Sequence, residues 1–285
     1  MGFFVFSFSD AVANPQPTIS IIIDDVGDNK NLGYRAARLH KDIALSVLPH
    51  TPFSNEIAKF GHKQGMDILL HQPMQSFTNN DLLGPGALLQ DMNRQQFAKI
   101  LDNNINAVPY IVGINNHMGS LLTTDQQKMN WLMAELKQRD LFFIDSRTTN
   151  KSIANKTAHY WQLPSMNRRI FLDHTDDPKA IARQFQRLVY FAKKYGHAIA
   201  IGHPKRNTLR FLEQELPSLS DKGISLISPS TKMYGVFPEK FTKNKQQLVN
   251  PVHFYDVCYF SEFKGNLSRQ AMDIRLLHSN CTVSE

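Results

Sequence analysis

Asp24 and Asp25 stand side by side where the apolar run of ISIIIDDVGDN, residues 19–29, comes to its end. Three of the eleven histidines follow short apolar runs in the same way: His71 in ILLHQPMQ, His117 in GINNHMGS and His203 in AIAIGHP. Asp145 does so in FFIDSRTT. One carboxylate with two imidazoles is a donor set that holds a divalent ion such as zinc and leaves positions open for water and a substrate oxygen. The ion lowers the pKa of water toward neutrality, a second carboxylate beside the ligand takes up the water's proton, and a further histidine protonates the leaving group. Metal-assisted hydrolysis is therefore the chemistry these types imply. Adjacent residues at a strand end point in different directions, so one aspartate can face the ion and the other the substrate.

Taken singly, each residue has a plainer explanation. Asp25 can cap the helix that follows, a histidine at a strand end can satisfy a turn carbonyl, and Asp145 can pair with Arg147. The coincidence argues otherwise, because His40, His50, His62, His159, His174, His197, His253 and His278 fall on helices, loops or the tail.

For these residues to meet, the strands that carry them must run side by side. Strand candidates are Ile19–Ile23, Ile43–Leu48, Met66–Leu70, Val108–Ile114, Leu141–Ile144, Ala198–Ile201 and Ile224–Ile227, with amphipathic stretches between. FSNEIAKFGHKQG, QQKMNWLMAELKQRD and KAIARQFQRLVYFAKKYG carry helix start or stop signals, whereas NDLLGPGALLQDMN reads as a long loop. Continuous apolar strands alternating with helices predict an α/β fold with a parallel sheet covered on its outer side. About seven such units favour a β/α barrel over an open doubly wound sheet, and periodicity leaves closure undecided. In a barrel the C-terminal strand ends form one face, where residues remote in sequence converge.

Composition sets wider bounds. The 285 residues are 42% hydrophobic, ordinary for a globular protein. The net charge of +7 and pI near 9.3 suit an anionic partner, but the basic residues are scattered, which argues against nucleic acid. Cys258 and Cys281 match neither a metal knuckle nor a redox pair. The apolar stretch Phe3–Phe8 followed by Ala11-Val12-Ala13 reads as a truncated signal peptide over residues 1–13, which predicts a periplasmic or secreted protein. No segment is apolar for long enough to be a transmembrane helix. From Tyr234 the strand-helix rhythm is lost, and residues 235–285 read as an appendage.

IDDVG, LLHQPM, GINNHMGS, FFIDSRTT, FLDH and AIAIGHP together resemble the divergent polysaccharide deacetylase (YibQ-like) family of bacterial envelope proteins, over residues 18–234. The resemblance implies a distorted β/α barrel of the polysaccharide deacetylase type, a divalent metal such as zinc, and removal of acetyl groups from N-acetylated sugars of a cell-wall or envelope glycan. By position it makes Asp24 the general base, Asp25 and His71 metal ligands and His203 the general acid. Asp145 is expected to orient His203 or a metal-bound histidine. Asn116, Gly119, Ser120 and Arg147 are expected at the substrate, with the backbone around Gly119-Ser120 holding an oxyanion. The sequence departs from the mainstream pattern at Gln75, where a second histidine of the motif is expected, and His117 is inferred to supply the missing imidazole. A non-catalytic glycan-binding protein that keeps the fold is the competing reading, favoured by Gln75. A metal phosphoesterase is the third.

Overall fold

The computed structural model describes residues 16–236; the predicted leader, both cysteines and nearly all of the predicted appendage lie outside the described residues. The strands are β1 (Thr18–Val26), β2 (Ala44–Val47), β3 (Asp67–Met74), β4 (Ile111–Met118), β5 (Phe142–Asp145), β6 (Ser165–Asn167), β7 (Ile170–Phe171), β8 (His197–Gly202) and β9 (Ser225–Leu226). The helices are α1 (Lys30–Ala36), α2 (Ser54–Lys63), α3 (Arg94–Ala107), α4 (Gln126–Gln138), α5 (Ala154–Tyr160), α6 (Pro178–Tyr195), α7 (Arg206–Glu215) and α8 (Pro229–Val236).

Every strand pairing is parallel, in the order β6-β5-β4-β3-β2-β1-β8-β7, with β9 beside the first residues of β1. The two edge strands, β6 and β7, are consecutive in the chain and separated only by Arg168 and Arg169. Arg168 N donates to Asp145 O of β5 and Arg169 N to Ile199 O of β8, each at 2.9 Å. One extended segment thus leaves β5 and joins β8, so the sheet's two edges belong to the same piece of chain. The result is a distorted β/α barrel with seven strand positions, as the sequence pattern favours.

Both faces of the strands are buried, which explains their continuous apolar runs. Ile22, Ala44, Leu69, Phe142, Ile144, Ile199 and Ile201 form one core cluster with Met233 of α8. Their sequence neighbours, such as Ile21, Ile23, Leu45, Ile68, Leu70 and Phe143, belong to the second and larger cluster, together with residues of the helices. The helix α6 shows how sequence sets an element: Asp177 accepts from Ala180 N, Pro178 opens the first turn, and Gly196 at φ 79 ends it. Its buried stripe is Ile181, Phe185, Leu188 and Ala192. Helix α8 is tied to the start of β3, where the Asp67 carboxylate accepts from Ser230 N and Oγ, both at 2.7 Å.

Three strands run well past the ends read from the sequence, β1 through Asp24 and Asp25 to Val26 among them. β3 continues through His71 to Met74, and β4 continues through His117 to Met118 but starts only at Ile111. Polar residues read as strand ends remain inside strands because buried polar partners receive them. Val108–Tyr110 is instead the turn after α3, with Tyr110 at φ 64. β6 and β7, at three and two residues, are too short for any periodicity to show. The predicted long loop holds one helical turn, Asn80–Leu82, and returns beside β3 through Leu88 N to Pro73 O at 2.9 Å.

His197 at the start of β8 supplies a stability test. Its Nδ1 faces Thr18 Oγ1 at 2.9 Å, while Nε2 is buried with no hydrogen-bond partner among the described residues. Burial first, and the Lys232 charge second, push the imidazole down to about 4. A histidine held neutral when folded but protonated when unfolded favours unfolding as pH falls below the unfolded value near 6.5. Between there and pH 4 the protein is expected to lose up to about 3 kcal/mol of stability through this one group. Urea denaturation across that range should show a shallower pH slope in His197→Gln; an unchanged slope would sink the assignment.

Candidate metal centre

Four strands bring their polar residues to one end of the barrel. On β1 a bulge intervenes: Ile23 pairs with Leu45 and Val26 with Val47, so β1 carries one residue more than its partner over this interval. Asp25 takes up the difference in the left-handed region at φ 54, a conformation aspartate tolerates better than most residues. The alternation of the strand is broken there, and both carboxylates of the pair turn toward the site. Gly27 at φ 135 completes the turn, where a Cβ would lie 2.0 Å from Thr51 Oγ1.

Parallel pairing of β3 and β4 places His71 opposite Asn115 and Pro73 opposite His117. His117 Nδ1 then lies 3.2 Å from His71 Nε2. Asp25 Oδ1 lies 3.2 Å from His71 Nε2 and 2.9 Å from His117 Nδ1. Among the described residues, this trio is the one group of three metal-binding types whose ligand atoms converge.

Asn115 settles the tautomer of His71. Its Nδ2 donates to Asp24 Oδ1 at 2.8 Å, so its Oδ1 is the acceptor facing His71 Nδ1 at 2.9 Å. Ser46 Oγ donates to the same oxygen. His71 therefore carries a proton on Nδ1 and directs Nε2 at the trio. Asp25 Oδ1 is buried without a hydrogen-bond partner, and its neighbours across 2.9 to 3.2 Å are ring nitrogens. Donors bound to a zinc-like ion at about 2.0–2.1 Å stand about 3.3 Å apart in tetrahedral geometry, so the trio fits one.

The charges agree with this placement. Burial opposes ionisation of Asp25, yet the His117 and His71 imidazoles against its Oδ1 outweigh it and hold the carboxyl below the usual range. Burial also opposes a charged His71, but the Asp24 charge and the hydrogen bond and charge of Asp25 push it up to about 8.

His203 stands on the other side of Asp25, its Nε2 3.6 Å from Asp25 Oδ2. Its Nδ1 lies 2.8 Å from Asp173 Oδ1. Asp173 is fully buried, and its Oδ2 accepts from His203 N and from Thr208 Oγ1 of α7, each at 2.7 Å. Burial disfavours the charged form of both partners, but their mutual hydrogen bond and charge prevail: His203 is raised and Asp173 lowered. The Phe171 ring packs against the His203 ring edge to face.

Asp24, Asp25, His71, His117 and His203 are thus brought together, and the other expected site residues are not. Asp145 receives Arg147 N at 2.8 Å and Ser152 Oγ at 2.7 Å, so it braces its own loop; Asp173 occupies the orienting place expected of it. The N–H groups of Gly119 and Ser120 point to Ser76 Oγ at 3.2 and 3.4 Å and are not turned to an oxyanion. Asn116 is spent within the scaffold, accepting from Ser146 N and donating to Met118 O. Arg147 donates to the carbonyls of Ser152 and Asn150. Gln75, where a ligand is expected, accepts from Gln90 N at 2.6 Å and anchors the loop after β3. The residues missed are Asn115 and Asp173. Asn115 was legible as the residue two before His117 and on the same strand face; Asp173 follows a strand too short to detect.

The divergent polysaccharide deacetylase family model matches residues 21–233 of the chain. The chain belongs to that family. An uncharacterized protein of Haemophilus influenzae is 36% identical over 206 residues, covering 72% of this chain and 73% of its own. The uncharacterized protein YibQ of Escherichia coli is 32% identical over 231 residues, covering 80% and 72%. Among solved structures, an uncharacterized protein from Agrobacterium tumefaciens superposes with a TM-score of 0.73 at 18% identity, covering 79% of this chain and 92% of its own, a likeness of fold.

If the trio holds a divalent ion, Asn115→Leu should weaken zinc binding about 10- to 100-fold although Asp25, His71 and His117 all remain, because it removes the bond that orients His71. Competition against a chromophoric chelator reads this, and unchanged affinity would contradict it. Zinc must also displace the proton that His71 carries below about pH 8, so affinity should fall by up to tenfold per pH unit on going from about pH 8 to about pH 6. A flat profile would show that the site binds without His71.

Proposed function

We propose that this protein is a metal-dependent deacetylase of N-acetylated envelope glycan, acting in the periplasm or outside the cell. The observation that carries the reading is the convergence of Asp25, His71 and His117 on one point, with Asp24 on one side and the His203–Asp173 pair on the other. Family membership supports the glycan substrate, and the leader-like N-terminal stretch supports the location.

Asp25 Oδ1, His71 Nε2 and His117 Nδ1 would hold the ion. When bound, a divalent ion polarises the acyl carbonyl and lowers the pKa of water. Asp24 is 3% exposed, and Asn115 leaves its second oxygen directed at the site, 3.6 Å from His71 Nε2. From there it accepts the proton of the water that attacks the acyl carbon. Asp173 favours the protonated form of His203, whose Nε2 faces the site. As the C–N bond breaks, that proton passes to the departing amine, and acetate and a free amino sugar result. Regeneration needs only the return of one proton from Asp24 to His203 through solvent.

The non-catalytic reading drew its support from Gln75. His117, from the strand beside it, converges with Asp25 and His71 where Gln75 does not, which supports the catalytic reading over that alternative.

Acetate release from acetylated muropeptides or chitooligosaccharides tests the reading. Asp24→Asn should lower kcat by about 100- to 10,000-fold with the fold intact; undiminished turnover would exclude Asp24 as the base, and no release by the zinc-loaded wild type would exclude the reaction. Asp173→Asn should move the alkaline limb of the kcat profile to lower pH. Its carboxylate raises His203, so without it the acid form is lost earlier as pH rises. A limb that stays in place would remove His203 from the role of acid.

A further inference from the structure

Where the barrel closes, segment 168–171 and one face of α6 border an open cleft of about 360 Å3, lined by Arg168, Arg169, Phe171, His174, Gln184 and Arg187 together with Ile170. Three arginines line it and, among the described residues, no carboxylate does. Among the described residues, the arginines paired with carboxylates are Arg35, Arg94 and Arg139, none of which borders the cleft.

The hydrogen-bond partners of Arg168 and Arg187 are neutral, and the carboxylates of Asp24 and Asp145 act on Arg168 only through space. Arg168 donates from Nε to Ser146 O at 2.6 Å and from Nη2 to Arg147 O at 2.9 Å, which fixes its plane beside the Phe171 ring. Arg169 lies 5.0 Å from the ring centres of both Phe191 and Tyr195. Arg187 donates to Gln184 Oε1 at 3.1 Å. Gln184, Arg187, Phe191 and Tyr195 are spaced three or four residues apart and form one face of α6, flanking the buried stripe. A concave surface lined by three like charges, with no carboxylate among its described lining residues, attracts an anion. The guanidinium fork matches carboxylate and phosphate oxygens in pairs.

The cleft and the metal centre share a wall. Phe171 lines the cleft and its ring stands 5.2 Å from that of His203. Arg168, on the carbonyls of Ser146 and Arg147, is anchored to the exit of β5, the strand next to the one that carries His117. A ligand chain lying across Phe171 therefore reaches both.

We propose that the cleft is a subsite for an oxyanion, carboxylate or phosphate, carried on a sugar neighbouring the one whose acyl group meets His203. The substrate class is thereby an acidic N-acylated glycan. The inference rests on the glycan reading of the metal centre and narrows it.

Calorimetric titration of full-length, zinc-loaded Asp24→Asn protein separates the two. The probes are chitotetraose, which is neutral, a hyaluronan tetrasaccharide, in which glucuronate alternates with N-acetylglucosamine, and a chitotetraose carrying a 6-phosphate on one sugar. The better acidic probe should bind about tenfold tighter than chitotetraose and lose that advantage as salt is raised; which of the two it is identifies the oxyanion. Adding Arg169→Gln and Arg187→Gln, both exposed positions, should reduce its affinity to that of chitotetraose. Equal binding of neutral and acidic probes overturns the subsite and leaves the glycan reading standing. An advantage that survives the double substitution places the anion elsewhere and also overturns it. If no sugar binds, both fall. Single-stranded DNA that competes as well as the acidic sugar would mark a general polyanion surface and overturn the assignment to glycan.

Discussion

Three potential donor atoms, Asp25 Oδ1, His71 Nε2 and His117 Nδ1, stand 2.9 to 3.2 Å from one another near the mouth of the barrel. With lone pairs on all three such an arrangement is repulsive unless positive charge stands among them, and burial of His71 and of Asp25 Oδ1 removes the water that would otherwise screen it. In the free protein a proton on His71 meets the need; a divalent ion meets it with all three donors at once. Much of the surrounding structure can be understood as keeping these atoms together. The bulge at Asp25 turns a second carboxylate inward, the register of β3 against β4 brings His117 beside His71, and Asn115 sets which nitrogen of His71 is free.

Asn115 joins the two halves of this chemistry. One amide holds Asp24 by its nitrogen and His71 by its oxygen, so base and ligand are positioned by the same buried side chain. A polar network of this kind is stable only when each member is satisfied, and Ser46 and Ser146 complete it. The opposite side follows the same logic with different parts, since Asp173 is held by Thr208 and by the backbone of His203 before it acts on the imidazole.

Sequence alone made the strand ends legible because apolar runs ending in Asp or His interrupt an otherwise ordinary pattern, and parallel β/α architecture implies that such ends meet. That much located Asp24, Asp25, His71, His117 and His203. It failed where a role depends on hydrogen bonds made across strands. Asn116 and Asn115 are equivalent in sequence, but the period of two directs Asn115 to the site and Asn116 to the Met118 carbonyl and Ser146 amide. Asp145 and Asp173 both end strands, and only the closure of the barrel through segment 165–171 sets Asp173 beside His203. Gln75 looks like a lost ligand because motif spacing runs along one strand, whereas His117 reaches the same point from the strand alongside.

The central claim is that Asp25, His71 and His117 form one cation site. Metal analysis of protein purified after zinc loading and desalting, set beside Asp25→Ala and His117→Ala carried through the same steps, tests it most directly. One ion per wild-type chain and almost none in either variant is the predicted result. Full occupancy in His117→Ala would contradict the account, because the neighbouring strand would then supply no ligand and Gln75 would again mark a vacancy in the family's site.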